Sequence, residues 1–101
     1  MADLGKYESK LLALKEIFSE RQEGPDTEVK VVIPGDEEWR ENNKYPYVRV
    51  RYYLDKDRFE ERKIDLHESY LEKDIKDLVN FIEHFIQEFE MEIDQANYGG
   101  G

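Results

Sequence analysis

The last third of the chain, residues 69–97, has the pattern of one long amphipathic helix. Its apolar residues recur at intervals of three and four, which places them on one helical face: Leu71, Ile75, Leu78, Ile82, Phe85, Ile86, Phe89 and Ile93. Acidic residues predominate on the other faces. At about 1.5 Å per residue the helix would be roughly 40 Å long, against roughly 23 Å for a seven-residue strand. We therefore expect its C-terminal end to overhang any sheet that it covers.

Two overlapping capping boxes compete for the start of this helix, Asp65 with Glu68 and Ser69 with Glu72. We predict a start at Ser69, because the residues before it fit a strand. Residues 88–94 alternate between acidic and apolar with period two, which is also typical of a strand. No helix-breaking residue follows Ile86, so we predict helix and keep a fourth strand as the alternative.

The preceding residues predict one helix and three strands. Helical spacing predicts a first helix that is capped by Asp3 and runs to about Arg21. Gly24–Pro25 is the stop signal after it. Period-two alternation then predicts strands over residues 27–33, 48–54 and 61–66. On the outer face of this sheet, acidic residues of the third strand would pair with Arg49 and Arg51 of the second.

The predicted fold class is α+β: one helix, a three-stranded antiparallel sheet and a long helix, with both helices on one face of the sheet. We predict a single domain over residues 1–98 and a flexible glycine tail over residues 99–101, since 101 residues suit one compact core.

The formal net charge of −10 opposes contact with phosphate backbones and with anionic lipid. We therefore predict no direct binding of nucleic acid and no membrane association. Cysteine is absent, so thiol chemistry and disulfides are excluded. The N-terminal residues lack the basic and apolar regions of a signal peptide, and we predict a cytoplasmic protein.

No motif for catalysis or metal binding is found. His84 and Glu88 stand one helical turn apart, but two ligands without a third do not make a metal site. Asp55 and Asp57 begin like a calcium loop, yet the required glycine is missing. We predict a protein without metal or cofactor that is not an enzyme.

Acidic residues form the candidate binding surface, in three groups. They are Asp36, Glu37, Glu38 and Glu41 in the long loop, Asp55, Asp57, Glu60 and Glu61 around the second turn, and Glu88, Glu90 and Glu92 on the last helix. Trp39 lies within the first group, and tryptophan is a frequent anchor of protein interfaces. We interpret these groups as a recognition surface for a basic protein; the alternative is that they only keep the protein dissolved.

The order of elements resembles that of the double-stranded-RNA-binding domain, but residues 69–74 lack the lysine cluster with which that family grips phosphates. The same order, with small size and acidic loops, also resembles phage anti-CRISPR proteins that act as nucleic-acid mimics. The acidic residues named above carry this likeness. It implies a non-enzymatic inhibitor that occupies the basic nucleic-acid-binding surface of a nuclease or similar enzyme, in the host cytoplasm if phage-encoded.

Two alternatives stay open. One is an immunity protein that neutralises a basic nuclease toxin. The other is an assembly subunit, either of a phage virion or of a homodimer, in which the apolar residues of the overhanging helix pack against a second copy. Those residues are Phe85, Phe89, Met91 and Ile93.

Overall fold

The computed structural model describes residues 4–20 and 26–99. Its elements are a short 3₁₀ helix (Leu4–Tyr7), α1 (Glu8–Glu20), β1 (Thr27–Val32), β2 (Tyr47–Tyr53), β3 (Phe59–Asp65), α2 (Glu68–Leu71) and α3 (Ile75–Gly99). The predicted α+β fold is confirmed, with strand bounds within two residues of those expected. The Asp3 cap and the Gly24–Pro25 helix stop lie outside the described residues.

The three strands form one antiparallel sheet in the order β1-β2-β3. Val31 of β1, Val48 of β2 and Ile64 of β3 lie directly opposite one another. Because side chains alternate between the faces of a strand, this register puts the apolar residues of all three strands on one face. We call this the helix face and the opposite one the outer face.

Both helices cover the helix face and bury its apolar residues. α1 contributes Leu11, Leu14 and Phe18 to the core, and the apolar stripe of α3 contributes most of the other helical residues. Five α3 residues have no more than 6 % of their surface exposed: Leu78, Val79, Ile82, Ile86 and Phe89. The three-and-four spacing therefore identified the buried side of the last helix correctly.

The predicted single helix from Ser69 is wrong, because the structure divides it into α2 and α3. The Lys10 ammonium donates hydrogen bonds to the carbonyls of Leu71 (2.7 Å) and Lys73 (2.5 Å). These contacts satisfy carbonyl groups that a helix end leaves without partners. The long helix then begins after Asp74, a favoured residue type at helix N-termini, whose carbonyl accepts a hydrogen bond from the Leu78 amide (2.9 Å).

The prediction that the C-terminal end of the last helix overhangs the sheet is also wrong for the helix up to Asp94, because this part still contacts the strands. The Glu90 carboxylate accepts a hydrogen bond from the Thr27 hydroxyl (2.6 Å), and the Asp94 carboxylate accepts one from the Tyr52 hydroxyl (2.9 Å). α3 starts six residues later than predicted, so this part of the helix still contacts the sheet. Residues 88–94 are helical, which rules out the alternative strand. α3 includes Gly99, so the first residue of the predicted tail is helical, and residues 100–101 lie outside the described residues.

Replacing Lys10 tests the origin of the helix break. We expect Lys10→Met, which keeps the aliphatic stem but loses the ammonium, to lower the free energy of unfolding by about 1 kcal/mol. Urea unfolding followed by circular dichroism gives this value. Lys6→Met is the matched control, because Lys6 is exposed, and it should change the free energy by less than about 0.5 kcal/mol. Equal effects of the two substitutions would contradict this explanation of the break.

Candidate functional site

Two of the three predicted acidic groups lie at the same end of the sheet. The turn at residues 55–58 joins β2 to β3 at this end. α3 reaches it as well, because Glu90 and Asp94 bind the hydroxyl groups of Thr27 and Tyr52, which are paired in the sheet. The fold thus brings together carboxylates that are more than thirty residues apart in the sequence.

We call this region the acidic end. Within the described ranges, its carboxylates are those of Asp26, Asp55, Asp57, Glu60, Glu88, Glu90, Glu92 and Asp94, and its cations are Lys56, Arg58 and Arg62. Glu60 of β3 and Glu92 of α3 line one shallow groove together with Leu54 and Arg62. This groove is where the turn group and the helix group meet.

Two ion pairs neutralise part of the acidic end. Arg62 lies 2.8 Å from the carboxylate of Glu92, and Arg58 lies 2.7 Å from that of Asp55. Asp55 also accepts hydrogen bonds from the backbone amides of Asp57 (2.9 Å) and Arg58 (3.0 Å). The amide of Asp57 and the side chain of Arg58 together hold the pKa of Asp55 below its ordinary value. Asp55 therefore organises the turn.

Asp57 and Glu60 are two acids of this region, at the turn and the start of β3, whose charge remains available. Both residues are exposed, and within residues 4–20 and 26–99 neither carboxylate contacts a cationic group. Glu61 belongs elsewhere: it lies on the outer face and pairs with Arg51 at 2.7 Å, as predicted. The hydrogen bond from Arg51 lowers the pKa of Glu61.

The third predicted group lies at the opposite end of the sheet, in the connection between β1 and β2. We call residues 36–44 the strap. Asp36 forms an ion pair with Lys15 of α1 and accepts a hydrogen bond from the backbone amide of Ile33 (2.9 Å). Glu38 lies 3.2 Å from Lys30. These two acids hold the strap in place.

Glu37 and Glu41 of the strap remain exposed, and neither contacts a cationic group among the described residues. Trp39 is half-buried, and its backbone amide donates to the carbonyl of Asp36 (3.0 Å). The strap group and the acidic end are thus separated by the length of the sheet. They do not form one continuous acidic surface.

The histidines do not build a metal site. His84 lies 3.2 Å from Glu88 on the exposed side of α3, as their spacing predicts. His67 packs edge-to-face with Tyr45 (ring centroids 4.4 Å apart) and lies tilted against Tyr70 (5.9 Å). In the part of the chain that the structure describes, no three His, Asp or Glu residues are placed to hold a metal ion.

Sequence reasoning missed a row of three cations on the outer face. Lys30, Arg49 and Lys63 lie directly opposite one another on β1, β2 and β3. Period-two alternation assigns each of them to the outer face. Their alignment depends on the register, however, and no glycine marks the turn at residues 55–58 to set that register. Arg49 consequently faces Lys63 instead of an acid of β3.

Comparisons with family models, with curated proteins and with solved structures find no match to this chain. No helix among the described residues is both long enough and apolar enough to cross a membrane. The arrangement of charges is therefore the basis for assigning a function.

Asp36 makes stability depend on pH. Burial is the largest single influence and raises the pKa of Asp36, but the hydrogen bonds from Lys15 and the Ile33 amide together leave it below its ordinary value of 3.8. A carboxylate with a lowered folded-state pKa stabilises the fold above its unfolded-state pKa, and this stabilisation is lost as the pH falls through the folded-state pKa. We expect wild type to be more stable than Asp36→Asn near neutral pH, with a difference that shrinks below about pH 4.

Urea unfolding across this pH range measures the difference. Glu37→Gln is the control, since Glu37 has no cationic contact among the described residues, and its difference from wild type should not shrink in this way. A difference for Asp36→Asn that stayed constant as the pH fell would contradict the role of its carboxylate.

Proposed function

We propose that this protein is a non-enzymatic binding protein whose acidic end docks on a basic protein surface that otherwise holds nucleic acid. The observation that supports this most is the meeting of Glu60 and Glu92 in one groove. This shared groove joins the turn acids to the helix acids in one surface. Carboxylates gathered in this way present to a partner what a phosphate backbone presents, a local concentration of negative charge.

The negative charge of this surface favours a basic partner. Among the described residues, the acidic end carries eight carboxylates against three cations, and the whole chain has a net charge of −10. Such a field accelerates encounter with a basic surface and repels an anionic one. Clefts that bind nucleic acid are basic because they neutralise phosphates. A nuclease or another nucleic-acid-processing enzyme is therefore the partner class that we propose, with inhibition by competition as the effect.

The internal ion pairs reduce the set of contact residues. Asp36 and Glu38 hold the strap, and Glu61 pairs with Arg51 on the outer face. Asp57 and Glu60 keep uncompensated charge and lie at the acidic end, so we assign them the main role. Glu88, Glu90 and Glu92 of α3 would flank them. Trp39 lies on the strap and would belong to a separate contact.

The assembly alternative was based on an exposed apolar stripe at the end of the last helix, and most of that stripe is covered. Phe89 is buried, and Phe85 and Ile93 pack against the core. Met91 of this set is 59 % exposed, but one methionine is not the apolar stripe that a helix-mediated dimer needs. The immunity-protein alternative uses the same chemistry as our proposal, a basic nuclease as partner, and differs from it in biological setting.

Charge reversal tests this proposal. The double variant Asp57→Lys, Glu60→Lys should lose capture of its partner from a native host lysate, because two exposed acids of the acidic end that make no ion pair with a described residue become cations. We expect affinity for the captured enzyme to fall at least about tenfold, equivalent to about 1.4 kcal/mol, and wild-type affinity to decrease as salt increases. Isothermal titration calorimetry on the identified partner measures both effects.

The matched control is Glu16→Lys, Glu20→Lys on the exposed side of α1, which makes the same change in net charge at another surface. It should retain most of the affinity, and added nucleic acid should displace the partner from wild type. Equal losses in both double variants would mean that net charge alone acts. Binding that survives high salt and both reversals would refute the proposal.

A further inference from the structure

The outer face of the sheet carries the cation row defined by Lys30, Arg49 and Lys63, one residue from each strand. Like charges directly opposite one another on neighbouring strands destabilise a sheet unless an anion lies between them. The row is also unexpected in a protein with a net charge of −10. Its neutralisation therefore requires a specific source of negative charge.

Glu38 of the strap is the main source. One oxygen of its carboxylate lies 3.2 Å from the ammonium of Lys30 and 3.1 Å from the guanidinium of Arg49. Glu28 of β1 adds a second contact to Arg49 at 3.0 Å. Lys63 lies over the ring of Tyr47, 4.9 Å from its centroid, and makes no ion pair with a described residue.

The row keeps unused capacity to bind an oxyanion. The side chain of Arg49 is only 7 % exposed, and its Nε is buried with no hydrogen-bond acceptor among the described residues. A buried donor without an acceptor is costly. Arg49 therefore offers one donor, and Lys63 one cation, that the strap does not satisfy.

The strap reaches this row by wrapping around β1. Asp36 binds Lys15 of α1, on the helix side of the sheet, while Glu38 binds Arg49 on the outer face. The described backbone hydrogen bonds of the strap are local, from Asp36 to Ile33, from Trp39 to Asp36 and from Asn43 to Arg40. Among the described residues, the strap is therefore attached by the side chain of Asp36 to α1 and by that of Glu38 to the sheet, and it forms no backbone ladder with a strand.

These contacts are of a kind that can be released. The side chains of Glu38 and Lys30 are 29 % and 41 % exposed, and ion pairs that reach solvent contribute little to stability and weaken with salt. Backbone hydrogen bonding would not oppose movement of the strap away from the outer face. Its departure would leave the cation row open to solvent.

We propose that the strap is a releasable mask over an oxyanion-binding site formed by Lys30, Arg49 and Lys63, in which Glu38 occupies the position of the ligand. The ligand class is a phosphate or carboxylate group, because the present occupant is a carboxylate held by two cations. This site lies on the outer face and does not depend on the role proposed for the acidic end.

The test replaces Glu38 and follows both the strap and the site. Trp39 is the single tryptophan of the chain and lies in the strap, so quenching of its fluorescence by acrylamide reports strap opening. Inorganic tripolyphosphate at low ionic strength is the probe for the site, with binding measured by calorimetry. Glu37→Gln is the control, because it removes the same charge from a neighbouring strap residue that makes no ion pair with a described residue.

We expect Glu38→Gln to increase quenching of Trp39 and to bind tripolyphosphate on the order of tenfold more tightly than wild type or Glu37→Gln, since a charge-assisted contact has been freed. Adding Lys63→Gln to Glu38→Gln should reverse most of this gain. Lys15→Gln opens the strap from its other attachment while leaving the row intact, and it serves as the second variant if Glu38→Gln is poorly folded by circular dichroism.

Two results would overturn the proposal. In one, quenching and tripolyphosphate binding are the same in Glu38→Gln and Glu37→Gln, which would make Glu38 irrelevant to the strap. In the other, the strap opens in Glu38→Gln or Lys15→Gln but tripolyphosphate binds no better than to wild type, which would mean that no masked site exists.

Discussion

The packing of the α3 apolar stripe on the helix face of the sheet is the interaction on which the rest of this structure depends. It buries Leu78, Ile82 and Ile86 completely and brings the C-terminal part of α3 to the end of β2, where Tyr52 binds Asp94. Each fully buried aliphatic side chain of this kind contributes roughly 1.5–3 kcal/mol. The charges of the molecule are positioned by this interface, because the acidic side of α3 must point away from the apolar one.

The direction of α3 explains why an acidic end exists. The helix delivers Glu90, Glu92 and Asp94 to the end of the sheet that already carries the acidic β2–β3 turn. The hydroxyl groups of Thr27 and Tyr52 fix the helix there, and the hydrogen bond from Tyr52 to Asp94 is the main reason that the pKa of this tyrosine is raised. Apolar burial thus packs α3 on the sheet, and these two hydrogen bonds fix the position of its C-terminal part.

The distribution of charge divides the acidic residues into two kinds. Asp36, Glu38, Asp55 and Glu61 are in ion pairs within the chain and hold turns, strands or the strap in place. Asp57 and Glu60 are exposed and make no ion pair with a described residue. A high content of acid is therefore not equivalent to a high content of uncompensated negative charge, because several of the acids are neutralised by ion pairs within the chain.

Much of the fold could be predicted from local patterns, because periods of two and of three to four residues reflect burial on one side of a strand or helix. The stripe of α3 and the inward Val48 and Val50 are examples. Contacts between distant residues could not be predicted. The split between α2 and α3 depends on Lys10, which is sixty-one residues away from Leu71, and the capping boxes at Asp65 and Ser69 gave no sign of it.

The candidate site was predictable in composition but not in arrangement. The sequence contains the three acidic groups, and their residue types are evident. Which groups share a surface depends on the direction of α3 and on the strand register, since Tyr53 must pair with Phe59 to set the turn. The pairing of Glu38 with Arg49 depends on the path of the strap around β1, for which no local sequence signal exists.

Distance measurements between spin labels test most directly whether the turn and α3 share one end of the molecule. The chain has no cysteine, so labels can be placed at Asp57→Cys with Gln95→Cys, and separately at Glu37→Cys with Gln95→Cys. Double electron–electron resonance should give a 57–95 distance that is shorter than the 37–95 distance by about 20 Å, the length of a six-residue strand. Equal distances, or the reverse order, would contradict the arrangement of the acidic end.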